Sequence, residues 1–285
     1  MERLPLIKGD YLEKKVEKET DIQDNLKDVT HILVVMSGKG GVGKSTVAAN
    51  LAFALSIKGK SVGLLDCDIH GPSIPKLLGI ENTPPEASQG GIQPIVVPPS
   101  LKVMSMAFLL PSTDSPVIWR GPVKMKVLKD FLGQVRWGDL DYLIIDLPPG
   151  TGDEPLSIGQ LLPNSDGAII VTTPQDVALL SVRKSITFAK TLNMSVIGII
   201  ENMSGFICPH CSKEINIFGS GGGEKAAQEL GLAFLGKLPL DASIVESGDE
   251  GKPFVFFQKD TSTSKTFFKI VDKIEDILEK EKRNS

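Results

Sequence analysis

Residues 37–46, SGKGGVGKST, constrain the fold of this chain more than any other segment does. The segment fits the spacing G-x-x-x-x-G-K-[ST], whose fixed positions are Gly38, Gly43, Lys44 and Ser45. The apolar run HILVVM comes directly before it, and a helix-compatible run, TVAANLAFALSIKG, begins at Thr46. A strand, this loop and a helix in that order are the context of a phosphate-binding loop.

The loop predicts a nucleoside triphosphate as the ligand. Its glycines allow successive backbone N–H groups to point into one concavity, and the helix that follows adds its positive dipole end. We expect Lys44 to bridge the terminal phosphates and Ser45 to offer its hydroxyl to Mg²⁺. The predicted nucleotide-binding residues of this segment are Gly38, Lys39, Gly40, Gly41, Val42, Gly43, Lys44, Ser45 and Thr46.

Short apolar runs alternate with longer amphipathic stretches along the rest of the chain. The runs occupy residues 31–36, 61–68, 101–106, 141–146, 166–173, 195–202 and 234–240. This alternation predicts an α/β fold with a doubly wound, mainly parallel sheet and helices on both faces. The Pro- and Gly-rich residues 79–100 are expected to form a surface loop or a short β-ribbon within that domain.

Two regions flank this pattern. Residues 1–30 are charged and weakly periodic, and we expect a frayed or mobile arm there, followed by a single domain over residues 31–285. Residues 266–285 place apolar side chains at helical spacing, which predicts a helix packed on the sheet. A membrane-surface helix is the alternative, but such helices need a strongly basic polar face, and this one carries many acidic residues.

Charge and hydropathy exclude several classes of function. The 285-residue chain has a net charge of −4 and therefore lacks a general basic field for nucleic acid. None of its apolar runs approaches the roughly 20 residues that a membrane span needs, and its first thirty residues are charged rather than signal-like. We expect a cytoplasmic protein that binds neither nucleic acid nor membrane.

Three aspartates are candidates for the chemistry around Mg²⁺. Asp146 ends the run DYLIID, where a carboxylate beside a phosphate-binding loop predicts a Mg²⁺ ligand, although a turn-forming aspartate is the alternative. Asp66 and Asp68 lie two residues apart in LLDCD, on the same face if the strand continues that far. Two such carboxylates can divide the work between the metal and the attacking water.

The segment GKGGVGKS resembles the deviant Walker A motif of the MinD, ParA, NifH and Mrp/ApbC ATPases. This resemblance implies that Lys39 reaches across a homodimer to the partner's phosphates and assists catalysis there; a solvated lysine is the alternative. It also implies that Lys44 is catalytic, that Asp68 positions the attacking water, and that Asp66 joins Ser45 and Asp146 around the Mg²⁺.

Further segments resemble the Mrp/ApbC family of iron–sulfur cluster carrier ATPases, from about residue 31 to residue 253. They are LLDCDIHGPSIPKLLG, VIWRGP, WGDLDYLIIDLPPGTGDEPLSI, ENMSGFICPHC, INIFGSGGGEKAAQELG and FLGKLPLDASIVESGDEGKP. By the same resemblance Asn202 reads the adenine of ATP and Pro239 lines the base pocket. Asn202 equally suits a residue that closes a strand-end turn.

Cys208 and Cys211 form the motif Cys-Pro-His-Cys, which indicates a metal or redox site in a chain with so few cysteines. Two thiolates are half of a tetrahedral or cubane ligand set, and a symmetric dimer would complete it. The family resemblance implies a bridging [4Fe–4S] cluster; zinc and an empty pair are the alternatives. His210 is expected to be a loop residue, and Cys67 a buried small side chain.

Taken together, these features predict a slow ATPase that carries a [4Fe–4S] cluster as a homodimer and delivers it to apo iron–sulfur proteins. The alternative is a nucleotide-switched positioning or scaffold ATPase of the MinD/ParA kind, in which the cysteines are incidental.

Overall fold

In this computed structural model, which describes residues 22–88, 91–109, 121–162, 165–175, 177–208, 210–211 and 213–284, eight strands form one central sheet. In spatial order they are β12 (Phe234–Lys237), β9 (Val196–Glu201), β8 (Gly167–Thr172), β1 (Val29–Met36), β7 (Leu140–Asp146), β2 (Val62–Asp66), β6 (Leu101–Ser105) and β5 (Ile95–Val97). Two ribbons lie outside the sheet: β3 (Ala87–Ser88) with β4 (Gly91–Ile92), and β10 (Phe206–Ile207) with β11 (Glu214–Ile215).

The helices cover both faces of the sheet. Within the same residues they are α1 (Ile22–Leu26), α2 (Lys44–Ile57), α3 (Ile74–Leu77), α4 (Gly121–Gln134), α5 (Asp153–Gln160), α6 (Val177–Thr191), α7 (Gly222–Leu230), α8 (Ala242–Asp249), α9 (Phe254–Phe257) and α10 (Ser262–Asn284). A short 3₁₀ turn, Met106–Leu109, follows β6.

The pairing confirms the predicted doubly wound, mainly parallel sheet. Seven of the eight strands run parallel to their neighbours, and the edge strand β5 pairs antiparallel with β6. β5 comes from the Pro- and Gly-rich region, so this region supplies both the predicted ribbon and a strand of the main sheet.

The alternation along β1 shows why both faces need helices. Leu33 and Val35 pack into one buried cluster, with residues of α2, α9 and α10. Ile32, Val34 and Met36 pack into the other, with residues of α4, α5, α6 and α7. A parallel strand buried on both faces accounts for the continuous apolar runs in the sequence.

The C-terminal helix α10 packs on the sheet, as its apolar stripe predicts. Phe267, Ile270, Val271, Ile274 and Leu278 are buried, and the helix lies against α2 and β12. Its apolar stripe is therefore used inside the fold. In the part of the chain that the structure describes, none of the helices has both the length and the apolar character that crossing a bilayer requires.

Residues just before the domain start predicted at residue 31 also pack on the fold. Leu26 of α1 is buried, and the Asn25 side chain donates hydrogen bonds to the carbonyl oxygens of Leu132 and Val135, at 2.7 and 2.8 Å. The domain division itself stays a prediction. The rest of the predicted arm lies outside the described residues, as do the first four residues of the block VIWRGP.

The carboxyl ends of the parallel strands bring distant residues to one edge of the sheet. Asp66 of β2 pairs in register with Asp146 of β7, and Val35 of β1 pairs with Asp146 from the other side. Ligands of open α/β sheets bind at such an edge, where the chain crosses from one face to the other.

Candidate functional site

The predicted phosphate loop connects β1 to α2. Gly43, directly before α2, adopts a left-handed conformation with φ of 78°. Since glycine has no side chain to cap the helix, the first amide groups of α2 face the loop and suit an anion. Sequence and structure agree on this element.

Two glycines of the loop are required by close approaches. A Cβ atom at Gly38 would lie 2.4 Å from the carbonyl oxygen of Ser181 in α6. A Cβ atom at Gly43 would lie 2.3 Å from Nδ2 of Asn202. The loop is therefore packed against the segments that follow β8 and β9, and any larger residue would displace them.

Lys44, Ser45 and Asp146 form a compact trio behind the loop. The Lys44 ammonium lies 2.6 Å from Oδ1 of Asp146 and 3.3 Å from the Ser45 hydroxyl, which donates to Oδ2 of Asp146 at 2.5 Å. Burial raises the pKa of Asp146, and the neighbouring Lys44 opposes that shift. The structure thus brings together the three residues predicted for phosphate and Mg²⁺.

Asp66 is fully buried and engaged by protein donors on both oxygens. Oδ1 accepts the backbone N–H of Asp68 at 3.0 Å, and Oδ2 accepts the Ser105 hydroxyl at 2.9 Å and the N–H of Ile74 at 3.3 Å. Burial, followed by the charge of Asp146, raises the pKa of Asp66 to about 7. These contacts hold the loop after β2, and the expected Mg²⁺ contact stays a prediction.

Asp68 lies in the loop beyond β2. Because the strand ends at Asp66, strand alternation does not place the two carboxylates on one face. Asp68 is buried, and its Oδ1 accepts the N–H groups of His70 and Gly71, both at 3.0 Å. This turn fixes the orientation of the carboxylate predicted to position water.

Lys39 contacts the loop that follows β8. Its ammonium donates to Oε1 of Gln175 at 3.4 Å, and the same oxygen accepts the hydroxyl of Thr173. The lysine is half-buried, and its reach to a partner's phosphates stays a prediction. To reach a partner's phosphate, Lys39 must exchange Gln175 for that phosphate.

Asn202 ties the end of β9 to the phosphate loop. Its Nδ2 donates to the carbonyl oxygen of Val42 at 2.9 Å, and its backbone N–H donates to Thr172 at 2.7 Å. Pro239 follows β12, the strand next to β9, and is half-buried. The Asn202 side chain thus makes a long-range contact with the phosphate loop rather than a local turn contact, and reading of adenine by Asn202 and Pro239 stays a prediction.

The two cysteines lie on the β10–β11 hairpin. The backbone N–H of Cys208 donates to the carbonyl oxygen of Lys213 at 3.0 Å. Cys208 is half-buried and Cys211 is exposed. Hydrogen bonds from the backbone of His210 and Cys211, and from the Cys211 side chain, lower the pKa of the Cys208 thiol. A thiol with a lowered pKa is a better metal ligand because the thiolate is the binding form.

Cys208 and Cys211 are two of the four ligands that a tetrahedral metal site needs. Across the described residues, no group of three or more His, Cys, Asp or Glu side chains could hold a metal ion. Cys67 is fully buried, as expected, and burial raises the pKa of its thiol well above the usual value.

A family model described as a ParA-type, NUBPL iron-transfer P-loop NTPase matches residues 28–275. The chain belongs to this family. The fold class and the resemblance that the sequence predicts are therefore confirmed.

Relatives of this iron-transfer P-loop NTPase carry consistent names. An iron–sulfur cluster carrier protein of Methanocaldococcus jannaschii is 55% identical over 93% of this chain and 91% of its own length. A cytosolic Fe-S cluster assembly factor, CFD1 of Kluyveromyces lactis, is 48% identical over 88% of this chain and 92% of its own.

Solved structures resemble the chain over most of its length. A nucleotide-binding protein of Archaeoglobus fulgidus in complex with ADP has a TM-score of 0.74 and 40% identity, and covers 84% of this chain and 93% of its own. The cell division ATPase MinD of Pyrococcus furiosus has a TM-score of 0.61 at 23% identity, covering 87% of this chain and 100% of its own. The MinD likeness concerns the fold alone.

Glu201 lies next to the candidate site and is not among the residues predicted from the sequence. It is fully buried, and its carboxylate accepts the backbone N–H groups of Gly221 and Gly223 at the start of α7. The glycine run of residues 219–223 leads into this helix, and Glu201 holds its first turn. A glutamate at the carboxyl end of a buried strand, directly before Asn202, was the available signal.

Proposed function

We propose that this chain is an ATP-dependent carrier that holds an iron–sulfur cluster between two copies of itself and delivers it to apo-proteins. The observation that carries the proposal is that one chain holds both a formed phosphate loop and an accessible cysteine pair, in segments joined through Asn202. Asn202 contacts the phosphate loop, and Cys208 lies six residues further along the chain.

Mg²⁺ and ATP are the proposed ligands of the phosphate loop. Lys44 exchanges Asp146 for the terminal phosphates, while Ser45 and Asp146 supply oxygen ligands to the metal, with Asp66 as a further candidate. Mg²⁺ prefers such oxygen ligands and usually retains several waters. The ADP complex of the Archaeoglobus fulgidus protein supports a nucleotide at the corresponding place.

Hydrolysis of ATP is proposed to be slow and to depend on the dimer. Asp68, held by its backbone contacts, positions the attacking water, and Lys39 of one copy neutralises charge on the phosphates bound by the other. Slow turnover is expected because hydrolysis needs Lys39 from a second copy.

The [4Fe–4S] cluster is the cargo. Cys208 and Cys211 of two copies supply four thiolates, the number that ligates such a cluster. Ile207, Ile215, Ile217 and Phe218, here called the apolar collar, are exposed on and beside the hairpin. A second copy would cover the collar and shield the cluster from water.

The names of the relatives support the remaining parts of the proposal. The Kluyveromyces lactis relative is named a cytosolic assembly factor, and we propose cytoplasmic action and apo iron–sulfur proteins as recipients here as well. The Methanocaldococcus jannaschii relative is named a carrier, which supports transfer rather than permanent retention.

Anaerobic reconstitution with iron and sulfide tests the proposal. The wild-type protein should gain broad absorption near ~400 nm, and Cys208→Ala or Cys211→Ala should abolish it because four sulfurs are needed. Cys67→Ala is the matched control, since Cys67 is buried away from the hairpin, and it should load normally. A colourless wild-type protein, or equal loading of all variants, would contradict the cluster site.

A further inference from the structure

The two cysteines lie in a loop whose first and last residues are both hydrogen-bonded to the Glu201 side chain. We call residues 204–221 the cysteine loop; it leaves the sheet after β9 and returns at the start of α7. The Ser204 hydroxyl, at the entry, donates to Oε1 of Glu201. The N–H of Gly221, at the exit, donates to the same oxygen at 2.8 Å.

Glu201 holds the entry and the exit of the cysteine loop against the core of the fold. It is fully buried at the end of β9, and its other oxygen accepts the N–H of Gly223 in α7. Ser204 is held further by its backbone N–H, which donates to the carbonyl oxygen of Leu238 at 2.8 Å. Buried hydrogen bonds to a carboxylate are among the stronger ones in proteins, so the entry and the exit of the loop move with Glu201.

Glu201 is also the neighbour of Asn202, whose side chain donates to the carbonyl oxygen of Val42 in the phosphate loop. Met203, the next residue, has a positive φ of 58°, so the backbone turns sharply there. A ligand that draws the Asn202 amide from Val42 would act on the residue next to Glu201. Because Ser204 and Gly221 are both hydrogen-bonded to Glu201, a shift of Glu201 would be passed to the entry and the exit of the cysteine loop.

We propose that Glu201 and Ser204 are positioning residues that couple the nucleotide state to the accessibility of Cys208 and Cys211. The biological use of this coupling rests on the proposed function. The coupling itself is measurable on the thiols without a cluster, so the two ideas fail separately.

Ser204→Ala separates coupling from helix capping. It removes the link at the loop entry but leaves the bonds from Gly221 and Gly223 to Glu201 in place, so α7 keeps its cap. Ser264→Ala is the matched control: Ser264 is also fully buried, and its hydroxyl has no hydrogen-bond partner among the residues that the structure describes.

The measurement is the alkylation rate of the two hairpin thiols in full-length protein, with and without Mg-ATP, followed by mass spectrometry. Cys67 is fully buried and should stay unlabelled. In wild type and Ser264→Ala, Mg-ATP should change the rate. In Ser204→Ala, this nucleotide effect should shrink by about fivefold, as expected for one hydrogen bond, while ATP affinity stays within about twofold.

Glu201→Gln provides the second variant, since it removes the charge at nearly constant shape. It should also weaken the nucleotide effect, and Ser204→Thr, which keeps the hydroxyl, should restore it. Light scattering on the same samples allows comparison at equal dimer fraction. A nucleotide effect that persists in both Ser204→Ala and Glu201→Gln overturns the coupling, as does loss of ATP binding in both, which would indicate a general structural role.

Different experimental results would contradict the proposed carrier function and the proposed coupling. Wild-type protein that loads no cluster but shows nucleotide-dependent alkylation contradicts the carrier function and supports the coupling. Wild-type protein that loads a cluster while its thiols react equally with and without Mg-ATP contradicts the coupling alone.

Discussion

Lys44 makes two contacts that a bound nucleotide has to replace. Its ammonium lies between Asp146 and Ser45, which are themselves hydrogen-bonded. A buried carboxylate next to a buried lysine is stable only as a pair, because either charge alone would be costly in this setting. Mg²⁺ can take the place of the ammonium at Asp146 and free Lys44 for phosphate.

Lys44 and Asp68 are predicted to affect different steps. Lys44→Ala should weaken ATP binding by roughly 10- to 100-fold, the range for a hydrogen bond to a charged group. Asp68→Asn keeps an acceptor for the N–H groups of His70 and Gly71, so binding should persist while kcat falls by about 100-fold or more. Calorimetry measures ATP binding, and phosphate release measures kcat. Undiminished hydrolysis in both variants would reject the roles assigned to Lys44 and Asp68.

Gly43→Ala should abolish nucleotide binding. The added Cβ meets the Asn202 amide, and the left-handed backbone is strained for alanine. Gly59→Ala is the control, since Gly59 also has a positive φ, of 86°, but no atom within 4 Å of the added Cβ. It should cost about 1 kcal/mol of unfolding free energy and leave nucleotide affinity unchanged. Equal affinity in both variants would contradict the loop geometry.

Tyr142 gives a pH-dependent signal within the sheet. Burial, followed by the charge of Glu275, raises its pKa to about 12. The folded state therefore keeps its proton where the unfolded state loses it, and this residue's contribution to stability falls as pH rises from 10 through 12. Tyr142→Phe should remove the phenolate absorbance step near pH 12; a step that remains, or a Tyr142 step near 10, would contradict the burial.

At the scale of helices and strands, the local pattern predicted most of the fold. The apolar runs locate seven strands of the sheet because buried parallel strands are apolar on both faces. The antiparallel pairing of β5 could not be read in the same way, since its apolar run has only three residues and lies between prolines. The packing of α1 could not be predicted from local pattern because Asn25 is anchored to carbonyl groups more than a hundred residues away.

In the candidate site, too, contiguous motifs could be predicted from the sequence and long-range contacts could not. Contiguous motifs revealed the phosphate loop, Asp146 and the cysteine pair. The contacts of Lys39 with Gln175 and of Glu201 with α7 depend on which strands are neighbours, and no local spacing encodes that. The contacts of Asp66 could not be predicted for the same reason. Ser105 reaches Oδ2 of Asp66 only because β2 pairs with β6.

The packing of α10 gives a prediction at this scale. Ile274 is buried in the cluster shared with α2, so Ile274→Ala should lower the free energy of unfolding by about 2–4 kcal/mol. Ile277→Ala is the matched control; this residue is only partly buried and should cost distinctly less. Urea unfolding measures both, and equal small losses would contradict the packing of this helix.

At the scale of the whole molecule, one chain offers half of each proposed centre. In the proposed assembly, Lys39 would act on a partner's nucleotide, and the two sulfurs of each chain would need two more for a cluster. The apolar collar around the hairpin gives the second copy a surface to cover. Dimer formation, nucleotide and cluster are therefore parts of one assembly, joined in each copy by the segment from Asn202 to Cys208.

The most direct test is native mass spectrometry of anaerobically reconstituted protein, which gives subunit number and metal content together. We predict a dimer that carries a single set of four irons and four sulfides, and that loses this mass in Cys208→Ala. A monomer without iron, or a dimer whose added mass is zinc, would contradict the claim that two copies share one iron–sulfur cluster.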